Sequence, residues 1–463
     1  MPEIISPIDE QPVYHFDFVA MDEVERRVAG ARETQQEWRR VPLAERIAVC
    51  RQMLTAYAAR GDANAEEITR MMGKPRGQAR GEFERTMVER TEHLCAIAED
   101  ALADTALPEK AGFRRFIRRE PVGIVLDIAA WNYPLAIAVN VIVPAVLAGN
   151  AVLVKHASQT ALVADQFERA FREAGAPEGL VQALPMDHAT TAALIGSRDL
   201  GYVSFTGSVR GGHEIYRSVA EQNFIPAGME LGGKDPALVL EDADVAFAAE
   251  NLVDGAFYNA GQSCCGIERI YVAAPVYDAF VEAAIALTKP YVVGNPLDPG
   301  TTLGPLVNAG AADFVREQVR AAQAAGARVL VGDADFEVPD TSRCYLAPQL
   351  LVDVDHGMSL MREETFGPAV GIQRVSTEAE GLALMNDSRF GLTASVWTAD
   401  LDRAERLAPE IEAGTVFANR CDYLDPALVW TGVKDSGFGC SLSELGFASV
   451  TRPKSVHLRA QAP

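Results

Sequence analysis

The chain has 463 residues, 48% of them hydrophobic, and a formal net charge of −22. That length and apolar content point to a soluble globular protein of about two or three domains. The acidic balance disfavours binding to nucleic acid or to an anionic membrane surface. Seven cysteines without a Cys-x-x-Cys pair fit a reducing, cytoplasmic setting. The opening residues lack the basic and apolar regions of a signal peptide. Seven scattered histidines form no His-Glu-x-x-His cluster, so no catalytic metal is expected.

In chain order, residues 21–59 predict two antiparallel helices. Val24, Val28 and Ala31 recur at helical steps, and Leu43, Ile47, Cys50 and Leu54 repeat the pattern beyond Pro42. A helical stretch from Glu66 stops at the breaker Gly73-Lys74-Pro75. A further helix is expected over 81–101, its charges facing solvent, with His93 and Cys95 as packing residues. Residues 105–120 set Phe113, Phe116 and Ile117 among Arg114, Arg115, Arg118 and Arg119, which reads as an exposed ribbon suited to a subunit contact.

Residues 121–155 are the most apolar stretch. A membrane span needs about 20 apolar residues, and Asp127, Asn132, Pro134, Asn140, Pro144 and Asn150 argue against one here. The better parse is strand 123–129, turn 131–134, helix 135–148 and strand 151–155, a βαβ unit with buried parallel strands. A helix over 161–174, a strand near Val181 and a strand over 202–205 follow. Thr206-Gly207-Ser208 then opens another helix, where N-terminal amides and a serine hydroxyl suit a phosphate. No Gly-x-Gly-x-x-Gly is present, so the loop alone is a limited signal. The sum is an open α/β sheet with nucleotide-type loops at strand ends. Beyond Gly232, strands near 238–240, 269–273 and 329–331 alternate with helices over 245–257, 276–288 and 311–325. Residues 450–458 read as an edge strand.

Two stretches carry the chemistry. Residues 257–269 place Cys264 and Cys265 after Gly261-Gln262-Ser263, where a glycine lets backbone approach a substrate and the polar pair suggests an accessible turn. Upstream stands Met229-Glu230-Leu231-Gly232-Gly233-Lys234, with Glu230 34 positions before Cys264. Taken singly, a buried cysteine is an inert hydrophobe and a lone glutamate a surface charge. The pairing of Glu-Leu-Gly-Gly-Lys with Gly-Gln-Ser-Cys resembles the aldehyde dehydrogenase superfamily. Phe205-Thr206-Gly207-Ser208 and residues 361–368, Met-Arg-Glu-Glu-Thr-Phe-Gly-Pro, extend the likeness along nearly the whole chain.

The resemblance implies a Rossmann-like cofactor domain (1–104 and 122–231), an α/β catalytic domain (232–436) and a small β-extension for oligomerisation (105–121 and 437–463). It implies oxidation of a small-molecule aldehyde to the carboxylic acid with NAD or NADP, in a homodimer or homotetramer. Cys264 is the implied nucleophile, one residue after Gly-Gln, with Cys265 its rival. Glu230 is the implied base for water, and Asn132, aided by the Cys264 N–H, the oxyanion donor. For the cofactor it implies Lys155 and Glu364 at the ribose hydroxyls, Gly207 and Ser208 at the pyrophosphate, Gly232 nearby, and Trp131 and Phe366 packed against it. NAD-selective members often carry a glutamate three residues after this lysine; here Ser158 stands there, so NADP is expected to be tolerated.

Tyr133, Ile137, Asn140, Tyr258, Ser263, Cys265, Leu424 and Trp430 match substrate-tunnel positions. Aromatic walls there suit an apolar or aromatic aldehyde. Asn140 replaces an arginine used for distal carboxylates, which argues against a dicarboxylic semialdehyde. Asp422 and Asp425 are open to two readings, turn formers or contacts for an aminoaldehyde. Gly437-Phe438-Gly439-Cys440-Ser441 departs from the family's usual Gly-Arg-Glu ending. The alternatives are a coenzyme-A-acylating relative, a cysteine hydrolase lacking its histidine partner, and a non-catalytic binding protein on the same fold.

Overall fold

The computed structural model describes residues 2–460. Met1 and residues 461–463, the outer ends of the expected first and last segments, lie outside the described residues. The apolar stretch folds as anticipated. Strands Ile124–Ala129 and Ala151–His156 are buried along their whole length, and the helix Pro134–Ala148 between them is buried at every position. Proline at its first turn suits a helix start, and Gly149, at φ 94°, ends it in the left-handed region that glycine tolerates.

These strands belong to a six-stranded sheet in the order Gly437–Phe438, Ala227–Glu230, Tyr202–Thr206, Ile124–Ala129, Ala151–His156, Val181–Ala183. All neighbours are parallel except the first pair. Helices cover both faces. Leu43–Ala58, Val88–Leu102, Pro134–Ala148 and Leu162–Glu173 share one core, and Met21–Trp38, His188–Gly196 and Val209–Gln222 the other. Chain order reverses between Ile124–Ala129 and Tyr202–Thr206, so a crevice opens beyond their carboxyl ends, where open α/β sheets bind ligands.

A seven-stranded sheet follows: Arg328–Val331, Gln349–Val352, Ala369–Val375, Ile267–Ala273, Asp235–Val239, Thr393–Trp397, Thr415–Ala418. Only its first pair is antiparallel. Phe113–Pro121 pairs antiparallel with Thr451–Arg459 and with Thr105–Ala106 as a separate ribbon. The C-terminal segment does more than extend this ribbon. Gly437 and Phe438 pair with Glu230 and Met229, joining the six-stranded sheet.

The expected helix over 81–101 needs correction. It comprises Arg76–Gly81, a π-helical stretch Glu82–Met87 and Val88–Leu102, and its charges do not all face solvent. Glu82 and Arg90 are buried. A buried Lys74 ammonium 2.5 Å from Glu82 compensates the carboxylate. Among the described residues no helix is long and apolar enough to cross a membrane.

Candidate active site

The helix Val245–Phe257 ends in an abrupt reversal. Asn259, Ala260 and Gly261 all adopt positive φ, at 53°, 55° and 69°. Only Gly261 does so without side-chain strain. Its close approach is to protein rather than substrate: a Cβ there would lie 2.3 Å from the Gly367 carbonyl oxygen. The turn expected to be accessible is buried. Gln262 accepts from the Val307 N–H at 2.8 Å, and Ser263 Oγ donates to Asp422 Oδ1 at 3.1 Å.

Past this buried hinge the two thiols separate in character. Cys264 is half-buried and lines a cavity of about 390 Å³. Cys265 is buried, its Sγ donating to Asp422 Oδ1 at 3.1 Å. Hydrogen bonding to Cys264, burial and the Asp422 carboxylate hold its thiol well above the usual range.

Glu230 ends the strand Ala227–Glu230 and lines the same cavity. Its Oε1 accepts from Ser441 Oγ at 2.5 Å and its Oε2 from Thr206 Oγ1 at 3.4 Å. Burial raises its carboxyl above the ordinary range, while Ser441, Arg90 and Thr206 oppose the shift. Pairing of Gly437 with Glu230 brings the unusual C-terminal motif here. Asn132 is buried outside the cavity lining, its Nδ2 donating to the Gln262 carbonyl at 3.2 Å.

All the expected substrate-path residues line the cavity: Tyr133, Ile137 and Asn140 from the turn and helix after the first strand, Tyr258, Ser263 and Cys265 from the thiol loop, Leu424 and Trp430 from the C-terminal part. The Lys74 ammonium lies over the Tyr133 ring, 4.0 Å from its centroid. Asp422 belongs to the cavity, with burial pushing its carboxyl up to about 7, whereas Asp425 is exposed and accepts from the Ala427 N–H in a turn. The wall is more charged than the aromatic positions implied. Glu82, Arg85, Glu89 and Arg90 enter from the segment expected to face solvent, and Asp254 and Arg420 complete it. Helical spacing gave no sign of this. Only the breaker ahead of a charge-rich helix marked an irregularity.

The residues expected around a dinucleotide gather at the carboxyl ends of the six-stranded sheet. Lys155 is buried, and among the described residues its ammonium meets only the His156 carbonyl, at 3.4 Å. Burial holds it below its usual range. Ser158 is exposed just beyond. Ser208 caps the helix Val209–Gln222, accepting from the Gly211 N–H at 3.2 Å. Gly207 donates its N–H to the Glu230 carbonyl at 3.0 Å. A Cβ on Gly232 would strike the Glu364 carboxylate, which accepts from the Gly233 N–H at 2.9 Å and is pushed up to about 7 by burial. Trp131 and Phe366 meet edge to face with centroids 5.5 Å apart. Phe366 itself has φ 49° and is anchored through its N–H to Glu268. A buried ammonium with no carboxylate partner among the described residues, an exposed serine and a capped helix start form a donor set that fits a polyhydroxylated, phosphate-bearing ligand. Thr206 and Leu231, next to Gly207 and Gly232, line the cavity and join the two regions.

The pattern of the aldehyde dehydrogenase family matches residues 2–456. The chain belongs to the aldehyde dehydrogenase family. It is 36% identical to 3,6-anhydro-alpha-L-galactose dehydrogenase of Streptomyces coelicolor, over 98% of this chain and 92% of that one. Succinic semialdehyde dehydrogenase from Streptococcus pyogenes, solved with NADP+, superposes with a TM-score of 0.93 at 30% identity, covering 99% of each chain. NAD-dependent aldehyde dehydrogenase from Sinorhizobium meliloti gives 0.94 at 30%, covering 100% of this chain and 92% of that one. This family member is therefore an oxidoreductase that oxidises aldehydes with a nicotinamide dinucleotide.

Proposed function

We propose that the enzyme converts its aldehyde to a free carboxylic acid through a thioester on Cys264. The observation that carries this reading is that a half-buried thiol and a carboxylate share one cavity, beside the residues that flank the dinucleotide loop. Bound there, NAD or NADP supplies a hydride acceptor. The Cys264 thiolate adds to the carbonyl carbon, making it tetrahedral and able to release hydride. The Cys264 N–H and Asn132 steady the developing oxyanion, once Asn132 exchanges its bond to Gln262 for one to the alkoxide. Glu230 then takes a proton from water, which attacks the thioester and frees the thiol. Retention of Glu230 in the cavity favours hydrolysis over transfer to coenzyme A. A Glu230→Gln variant is expected to give one burst of reduced cofactor and then stall as acyl-enzyme, seen at 340 nm and by intact mass. Steady turnover without a burst overturns the role.

Lys155, Glu364, Ser208, Gly207 and Gly232 would hold the dinucleotide, with Trp131 and Phe366 against it. Ser158 puts no carboxylate beside Lys155, so a 2′-phosphate meets no repulsion. Both cofactors are expected to support turnover. A preference for NAD above about 10³-fold in kcat/KM, about 4 kcal/mol, counts against the serine argument. The proposed division is 1–104 with 122–231 for cofactor, 232–436 for catalysis, and 105–121 with 437–463 for assembly, the last also lending Gly437–Phe438 to the cofactor sheet. Seven free cysteines support a cytoplasmic setting.

A further inference from the structure

We propose that Arg90 reads the substrate: its guanidinium, fixed beside Asn140 in the cavity wall, binds oxygens on the distal part of a hydroxylated, sugar-type aldehyde. The inference rests on the reading of this cavity as the substrate site, and names the class of substrate it takes.

Arg90 is 5% exposed and lines the cavity. Among the described residues only its Nη1 is bonded, donating to the Ala136 carbonyl at 2.8 Å and to Asn140 Oδ1 at 3.0 Å, both on the helix Pro134–Ala148. Its Nε is enclosed without a partner among the described residues. The carboxylates whose field reaches it are Glu82, Glu230 and Glu89, and each bonds elsewhere: Glu82 to Lys74, Glu230 to Ser441, Glu89 to the Tyr423 hydroxyl. A guanidinium has five N–H donors and is not deprotonated in proteins. Burying one with most donors idle is unfavourable unless an acceptor arrives. The two bonds along one helix hold its plane, and the π-helical turn just before it, a feature frequent at functional sites, sets where it enters.

The surroundings choose the acceptor. With Glu82 compensated by Lys74, Glu89, Glu230, Asp254 and Asp422 still line the cavity against Arg85, Arg90 and Arg420. A substrate carboxylate meets that excess of acids, whereas a neutral hydroxyl or ring oxygen does not. Hydroxyl groups also donate, and Asp422 offers an acceptor in the same cavity. The arginine missing at position 140 is thus replaced by one from another helix, with a different preference.

The test uses three four-carbon aldehydes, erythrose, butanal and succinic semialdehyde, with the full-length enzyme and its Arg90→Gln and Arg90→Lys variants. Wild type is expected to favour erythrose over butanal by at least about tenfold in kcat/KM, the worth of one hydrogen bond to a charged group. Arg90→Gln is expected to collapse that ratio mainly through KM, and Arg90→Lys to restore part of it. An unchanged ratio, with both substrates weakened alike, marks a structural role and overturns the proposal. Preference for succinic semialdehyde that disappears in Arg90→Gln overturns it in favour of a carboxylate reader. Wild type inactive on all three with either cofactor, yet acylated by none, instead brings down the reading of the cavity itself.

Discussion

At the scale of the residue, two neighbouring thiols are assigned opposite fates by what surrounds them. Both line the cavity, but Cys265 is buried and donates to Asp422, which holds it as a thiol, whereas Cys264 is half-buried and makes no such bond to a carboxylate among the described residues. Cys264→Ser is expected to abolish turnover, and Cys265→Ser to retain it, because a serine hydroxyl can keep the bond to Asp422; the reverse result overturns the assignment. Ser441 offers a second check. It donates to Glu230, and a hydrogen bond to the charged form lowers a carboxyl pKa against the rise caused by burial. As the proposed base Glu230 works only when deprotonated, so with its carboxyl raised by burial the acid limb of kcat is expected above the usual carboxylate range. Ser441→Ala removes an opposing influence, and the limb should move to still higher pH. A limb that stays put or moves down removes Ser441 from this role. That Cys264 and Glu230 come to one cavity was legible because each sits in a specific run of residues at a fixed separation. Arg90 was not, since helical periodicity alone does not say which charged face of 81–101 meets the cavity and which meets water.

Among elements, the buried continuous runs were the easiest to read. Strands 124–129 and 151–156 with the helix between them are nearly unbroken in apolar residues, so period and burial agree. Ala227–Glu230 has only four residues, Ala-Gly-Met-Glu, and no alternation, so it gave no strand signal although it carries the proposed base. The π-helical stretch leaves no periodic signature in the sequence. It begins at Glu82, which is buried. Its Oε1 accepts from the Leu135 and Ala136 N–H groups at 2.8 and 2.9 Å, and its Oε2 from Lys74 at 2.5 Å. One carboxylate thus caps the helix that carries Ile137 and Asn140 and neutralises a buried ammonium. Glu82→Gln leaves that ammonium without a counter-charge, a loss of roughly 3–5 kcal/mol. A marked fall in Tm is expected, and the double variant Glu82→Gln, Lys74→Met should recover much of it. Equal melting of the single variant and wild type discounts the pair.

For the whole molecule, the opposition of a basic ribbon to an acidic body has a consequence for assembly. Thr451–Arg459 is a strand nine residues long with one edge paired to Phe113–Pro121, and no strand among the described residues covers its other edge. An open edge of that length invites pairing with another chain unless it is blunted. Charge partly blunts it: Arg452, Lys454 and Arg459 lie on the strand, and Arg114, Arg115, Arg118 and Arg119 on its partner. In a chain of net charge −22, however, those groups also form a positive stripe that a second copy's acidic surface complements. The expected state is a homodimer or homotetramer, with this ribbon at the contact. Removing residues 453–463 takes away most of the edge strand and the Lys454–Glu120 ion pair. Light scattering at matched concentration should then give a lower mass than wild type. A monomeric wild type, or a truncated chain that keeps its full mass, places the contact elsewhere or nowhere.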